Sequence, residues 1–334
     1  MNEYLKNIKV TIGITCFNAE KTIAKAIDGA LKQEWFNKEI IIVDDCSTDS
    51  SAKIIEDFQD LKQVKFIKNS KNKGTSFSRN LIINNSNGDI ICFMDDDDYS
   101  LSKRISSQLR ELEKAGYPDN KLIACTVSMV REYDSGFTRE LLTMGSKGLL
   151  PRGEELAHYL LFYEKKKKVD YGFGMPTASM LITKECFKKV GLFDEKLRRV
   201  EDMDLSIRLS LANVSFVSAK EKLVLQKSFL NNEKAELNFN SESILIEKYK
   251  NYLKKKKLYW HSKQWPKLRL FYFKKKYHLF CITLLLMIIK NPFRTLDHFL
   301  QTGSKRFVLE LNLLRFKYFK FFVNWSKKIF KFKQ

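Results

Sequence analysis

Three short apolar runs each end in residues equipped for chemistry. Ile8–Thr15 leads into Thr15-Cys16-Phe17-Asn18, and Glu39–Val43 into Asp44-Asp45-Cys46-Ser47-Thr48-Asp49. Ile90–Met94 leads into Asp95-Asp96-Asp97-Asp98. Four adjacent carboxylates repel one another and cost stability unless a cation neutralises them. Asp95 and Asp97 would point to one side if the segment stays extended. An oxygen-only ligand set suits Mg²⁺ or Mn²⁺ shared with substrate phosphates. A second acidic cluster, Glu201-Asp202-Met203-Asp204, stands before an apolar helical pattern. Acids at a helix start also favour the macrodipole, and Asp, Ser, Thr and Asn at strand ends also cap helices. On local grounds either reading fits each segment alone.

The elements that must hold these residues can be read from periodicity. Lys21–Lys32 has helical spacing, with Ile23, Ala26, Ile27 and Ala30 on one face. Ser51–Phe58, Ser76–Asn84, Lys103–Ala115, Lys184–Val190 and Asp202–Leu211 also read as helices. Val64–Ile67, Leu122–Val130, Ser179–Thr183 and Leu223–Gln226 read as strands. Strands alternating with helices imply βαβ units and a parallel sheet. The continuous apolar run Ile40-Ile41-Ile42-Val43 suits a sheet covered on both faces. In such sheets, ligands bind outside the carboxyl ends of the strands, where the polar tips lie.

Charge divides the chain. Residues 1–244 carry 37 Lys+Arg and 36 Asp+Glu, whereas residues 245–334 carry 23 Lys+Arg and 3 Asp+Glu. Such asymmetry points to an anionic partner for the tail. From Ser304 to Phe332 aromatics and basic residues alternate in the manner of an interfacial helix, for which an anionic membrane surface is the expected partner. A helical subdomain with solvated lysines is the other reading, and no nucleic-acid motif is recognisable. The longest apolar run, Leu279–Ile289, falls short of the about 20 residues needed to span a bilayer. Six scattered cysteines form no CxxC pair and no zinc-spaced cluster, and the N-terminus has no apolar signal region. These features lead us to expect a cytoplasmic protein, peripheral on the cytosolic face of the membrane. A polar stretch at 230–245 suggests two parts, 1–240 and 241–334.

Taken in series, five segments resemble the family 2 glycosyltransferases. TCFNAE is similar to the opening nucleotide-binding segment and VDDCSTDS to the VDDGSTD segment. NKGTSFSRN is similar to the stretch before the metal motif, GDIICFMDDDD to the strand that delivers the DXD motif, and GLFDEKLRRVEDMDLSIR to the acceptor-side segment with its ED motif. The resemblance implies an α/β GT-A fold with a Rossmann-like, mostly parallel sheet flanked by helices, followed by the basic helical region. It places Thr15, Phe17, Asn18, Glu20, Asp45, Ser47 and Arg79 around the nucleotide. Asp95 and Asp96 would lie towards ribose and diphosphate, Asp97 with Asp95 would hold Mn²⁺ or Mg²⁺, and Asp202 would be the general base. Cys46 stands where the family usually has Gly, Phe17 where Tyr is common, and no proline follows the acidic quartet.

The function so implied is inverting transfer from a nucleotide-diphosphate sugar, with a UDP-sugar favoured, to a glycan or lipid-linked acceptor in cell-surface polysaccharide, lipopolysaccharide or glycolipid synthesis. A non-catalytic nucleotide-sugar or nucleic-acid binding protein on the same fold is the rival. The carboxylates at Asp97 and Asp202 favour the enzyme.

Overall fold

The computed structural model of the chain describes residues 5, 7–228 and 235–331. Described side chains stop at residue 318, and that of Lys317 is not included. The later members of the tail's aromatic–basic pattern, Phe332 among them, therefore lie outside the description, as does part of the polar boundary.

The strands are β1 (Val10–Cys16), β2 (Lys38–Asp44), β3 (Val64–Lys68), β4 (Ile90–Asp95), β5 (Asp98–Ser100), β6 (Ile123–Tyr133), β7 (Thr138–Leu141), β8 (Leu181–Thr183) and β9 (Ser215–Ser228). They form one sheet in the order β3-β2-β1-β4-β8-β6-β9-β5, with β7 paired to β6. β3, β2, β1 and β4 run parallel, while β8 is antiparallel to both β4 and β6. The helices of the parallel part are α1 (Ile23–Leu31), α2 (Ser51–Glu56) and α3 (Thr75–Asn85). After them come α4 (Arg104–Lys114), α5 (Glu155–Phe162), α6 (Lys184–Val190) and α7 (Glu201–Leu211).

Alternation along the strands builds two cores, one per sheet face. Ile40 and Ile42 join Ile12, Ile14, Ile90, Ile23 and Ile27 on one side. Ile41 and Val43 join Ile91, Phe93, Ile82 and Leu205 on the other. The uninterrupted apolar run of β2 is therefore buried twice over. A Cβ at Gly13 would stand 2.5 Å from the Ile82 Cγ2, so glycine here lets α3 lie close against β1. That approach brings α3 to the strand tips.

The chain divides into two compact units: 1–130, 140–226 and 240–248 in one, and 131–139, 227–239 and 249–334 in the other. The second contains α10 (Tyr259–Phe273), α11 (Tyr277–Lys290) and the long α12 (Pro292–Lys331); α8 (Ala235–Lys248) and the short α9 (Lys250–Lys255) precede them. In the second unit Trp265, Leu268 and Met287 form a core with Trp260, Phe280, Leu284 and Phe299 packed on it. Among the described residues no helix is long and apolar enough to cross a membrane.

Candidate active site

The first two strand tips are sewn together by their own polar residues. Asn18 N–H donates to the Ser47 Oγ at 2.9 Å, and Thr48 N–H donates to the Asn18 Oδ1 at 2.8 Å. Glu20 N–H donates to Asp49 at 3.1 Å, and Ser50 N–H to Glu20 at 3.1 Å. Asp44 is fully buried and accepts from both the backbone N–H and the hydroxyl of Ser47. Asn18 and Ser47 thus tie the two tips through a bond to each other, and Glu20 does so through Asp49 and Ser50. Thr15 sits on β1 in register with Val43 on one side and Asp95 on the other.

Asp45 is 4% exposed and lies under the following loop. It accepts from Asn69 Nδ2 at 2.8 Å, Lys73 N–H at 2.9 Å and Gly74 N–H at 2.6 Å. The loop that leads into α3 is therefore held by a carboxylate expected around the nucleotide. Cys46 follows with φ of 64°, the left-handed region that explains glycine in the family pattern. A β-carbon there costs about 1 kcal/mol, offset in part by the greater unfolded-state entropy of glycine. Cys46→Gly should consequently raise stability by about 0.5 kcal/mol and the melting temperature by about 1–2 °C. A lower melting temperature would show that the thiol contributes more than its backbone strain costs.

The acidic quartet does not continue as one extended strand. β4 ends at Asp95, the chain turns at Asp96-Asp97, and Asp98 begins β5, which pairs with β9. The turn brings carboxylate oxygens of Asp95, Asp97 and Asp98 within 4.8 Å of one another. Asp95 and Asp97 do share a side, by this reversal rather than by strand alternation. Asp98 joins them, which the alternation rule did not foresee. Its Oδ2 accepts from Gln226 Nε2 at 3.0 Å, whereas its buried Oδ1 has no hydrogen-bond partner. Burial first, then Asp95 and Asp97, pushes Asp98 up to about 9. Asp96 accepts from the backbone N–H of Phe17 at 3.0 Å; burial, with the Asp97 and Asp95 charges, raises it to about 7. The Phe17 ring itself is 46% exposed beside this turn. Beneath it, fully buried Arg104 donates to the Phe93 carbonyl at 2.9 Å and to the Ser100 hydroxyl at 2.8 Å. This fixes both strands that bound the turn.

Arg79, on α3, joins the two acidic clusters. One guanidinium nitrogen donates to Glu201 at 2.6 Å and another to Asp95 at 3.2 Å, and the side chain is almost wholly buried. The next residue, Asn80, bonds Phe193 in both directions: its Nδ2 donates to the Phe193 carbonyl at 3.0 Å and its Oδ1 accepts from the Phe193 N–H at 2.9 Å. α3 is thus the bracket that holds the 193–204 segment against the strand tips. Neither Glu201 nor Asn80 stood out as a site residue in the sequence. Their partners are more than 100 positions away, and only the fold shows the pairing.

Asp202 stands in the first turn of α7, which Val200 enters at φ of 59°. A β-branched residue in that region is a backbone outlier, of a kind found at sites that aim a side chain. Asp202 Oδ1 accepts from the Met203 N–H at 2.7 Å. Burial foremost, then the Glu201 charge, lifts its carboxyl to about 6 against the opposing pull of Arg79. Asp204 differs in kind. It is fully buried, with Arg208 at 2.9 Å and Lys248 at 2.9 Å. Removing it would leave the largely buried Arg208 with only the Val190 and Gly191 carbonyls and take one of two carboxylates from Lys248. Asp204→Ala should cost about 3 kcal/mol of stability, seen as a fall in melting temperature, with turnover of the folded fraction retained. Lost turnover at unchanged melting temperature would instead move Asp204 into the reaction.

These geometries agree with what comparison finds. The family model described as Glycosyl transferase family 2 matches residues 11–188. Among curated proteins, the chain is similar to the UDP-Glc:alpha-D-GlcNAc-diphosphoundecaprenol beta-1,3-glucosyltransferase WfaP of Escherichia coli. The two are 38% identical over 104 residues, 31% of this chain and 41% of that protein. It is also similar to the amylovoran biosynthesis glycosyltransferase AmsB of Erwinia amylovora, 28% identical over 224 residues, 66% of this chain and 69% of that one. The alignments thus span from under half to just over two thirds of these relatives. Among solved structures, S. aureus TarS 1–349 in complex with UDP superposes with a TM-score of 0.53 at 17% identity, covering 72% of this chain and 65% of that one. That likeness identifies the GT-A fold expected from the sequence.

Proposed function

The chain belongs to glycosyl transferase family 2, and from that membership we propose that it moves a sugar from a nucleotide-diphosphate sugar, a UDP-sugar first, to an acceptor hydroxyl with inversion. One observation carries the reading. A single guanidinium, Arg79, touches Asp95 of the quartet and Glu201 beside Asp202, so donor-side and acceptor-side acids share one crevice. A base can then stand opposite a departing diphosphate.

The cluster of Asp95, Asp97 and Asp98 fits a hard divalent cation. Its ligand atoms are all carboxylate oxygens, and Asp98 has an oxygen, Oδ1, that is buried without a hydrogen-bond partner. Mn²⁺ or Mg²⁺ would be held by Asp97 and Asp95 with Asp98 beside them, supplying positive charge for the leaving diphosphate. The remaining roles belong to the chain itself. The exposed Phe17 ring is suited to stack on a nucleobase but has no hydroxyl to bond it. Arg79 holds Asp95 and Glu201 in place. Asp202 accepts the proton of the attacking hydroxyl, and a direct attack with one base inverts the anomeric centre. No carboxylate nucleophile is required, in contrast to a double displacement.

WfaP by its name uses UDP-Glc and a diphosphoundecaprenol acceptor, AmsB serves amylovoran biosynthesis, and TarS has been crystallised with UDP and UDP-GlcNAc. These relatives favour a UDP-sugar donor and a glycan or lipid-linked acceptor in cell-surface polysaccharide, lipopolysaccharide or glycolipid synthesis. Stereochemistry tests the one-step mechanism. With an α-linked UDP-sugar and water as acceptor, early NMR spectra should show the β-anomer of the released sugar. The α-anomer as first product would contradict a single displacement.

A further inference from the structure

Helix α11 is apolar on two opposite sides. Phe280, Leu284 and Met287 face the core around Trp265. Ile282, Leu285, Leu286 and Ile289 are 55–71% exposed, and their i, i+3, i+4, i+7 spacing puts them on one outward face. After Asn291, α12 begins at Pro292, and its second residue, Phe293, is 89% exposed. A soluble surface seldom leaves such a stripe open unless something covers it.

The charge around the stripe identifies the covering partner. Lys275 and Lys276 precede the helix, Lys290 ends it, and all three are exposed. They belong to a stretch with 23 basic and 3 acidic residues. A second copy would set two such stretches against each other. Nucleic acid would satisfy the lysines but leave the leucines and isoleucines against phosphate. The apolar run is too short to cross a bilayer, which needs about 20 residues, yet about the right width to lie along one.

We propose that α11, with the start of α12, lies in the plane of an anionic lipid bilayer. The Ile282–Ile289 face enters the acyl boundary and the flanking lysines meet the headgroups. This docking is independent of the transfer reaction and would hold for an inactive chain.

Sedimentation of the full chain with vesicles tests it. Binding is expected to vesicles of equal parts phosphatidylcholine and phosphatidylglycerol, to be much weaker with phosphatidylcholine alone, and to fall as salt rises. Leu285→Ser with Leu286→Ser should cut partition roughly tenfold or more, with melting temperature and elution volume unchanged. Cys281 is exposed next to Ile282, while the other five cysteines are buried or half-buried. A polarity-sensitive dye on Cys281 of the otherwise unaltered protein should therefore shift to the blue on anionic vesicles, whatever the fate of the double variant. Equal partition of the double variant, an unshifted dye, or a wild-type dimer that the substitutions dissolve would each overturn the assignment; the last would give the face to a second copy.

Discussion

Asp97→Ala is expected to lower transfer by about 10²–10³ or more, because one carboxylate of a three-acid cluster would no longer hold charge against the leaving diphosphate. EDTA should abolish activity in the wild type, and added Mn²⁺ or Mg²⁺ should restore it. The cluster geometry supports this beyond the motif. Asp95, Asp97 and Asp98 oxygens converge within 4.8 Å, and burial with like charge raises Asp98 to about 9. A cation would reverse that, since it favours the ionised carboxylates. Thermal melting offers a second readout: Mn²⁺ should raise the melting temperature of the wild type and much less that of Asp97→Ala. Full activity in EDTA, or an equal Mn²⁺ effect on both proteins, would remove the metal role.

Asp202→Asn should lower turnover by about 10² or more, because the amide cannot take the proton, while donor affinity stays close to that of the wild type. The pH profile adds a sign. With its carboxyl raised to about 6, the base is unprotonated and competent above that value, so kcat/KM should fall as pH drops through about 6. Stability runs the other way. A folded-state pKa above the unfolded one means that the charged form is disfavoured by folding, so stability gained from this group appears as pH falls. Asp202→Asn should therefore melt no lower than the wild type at neutral pH. An acid serving only the helix dipole predicts the reverse: normal turnover and a loss of roughly 1 kcal/mol. Near-normal turnover in the variant would place the base elsewhere.

The fold was legible where local pattern and global burial agree. The strands of the parallel part lie within two residues of the expected runs at each end, because runs such as Ile40-Ile41-Ile42-Val43 are buried on both faces and leave little choice. β9 was read only over Leu223–Gln226 but extends from Ser215, because three consecutive exposed charges, Lys220, Glu221 and Lys222, interrupt its apolar pattern. α5 was not seen at all; its apolar residues follow Pro151 and Gly153 in a stretch without clear start signals.

The candidate site was legible as a set of residue types and not in its bonds. The roles of Asp98 and Glu201 depend on a reversal at Asp96-Asp97 and on Arg79 reaching across 122 positions. Asp204 stands two residues after Asp202 in the same acidic cluster, and nothing in the sequence marks it as buried. Lys248, 44 positions downstream, makes it a buried structural anchor instead.

Release of nucleoside diphosphate from a panel of UDP-, GDP-, CDP- and dTDP-sugars, run with Mn²⁺ and again with EDTA, tests the central claim most directly. The predicted result is diphosphate release from at least one UDP-sugar with Mn²⁺, lost in EDTA and in Asp97→Ala. Turnover undiminished by EDTA, or no release from any nucleotide sugar by folded protein with Mn²⁺ present, would contradict the account.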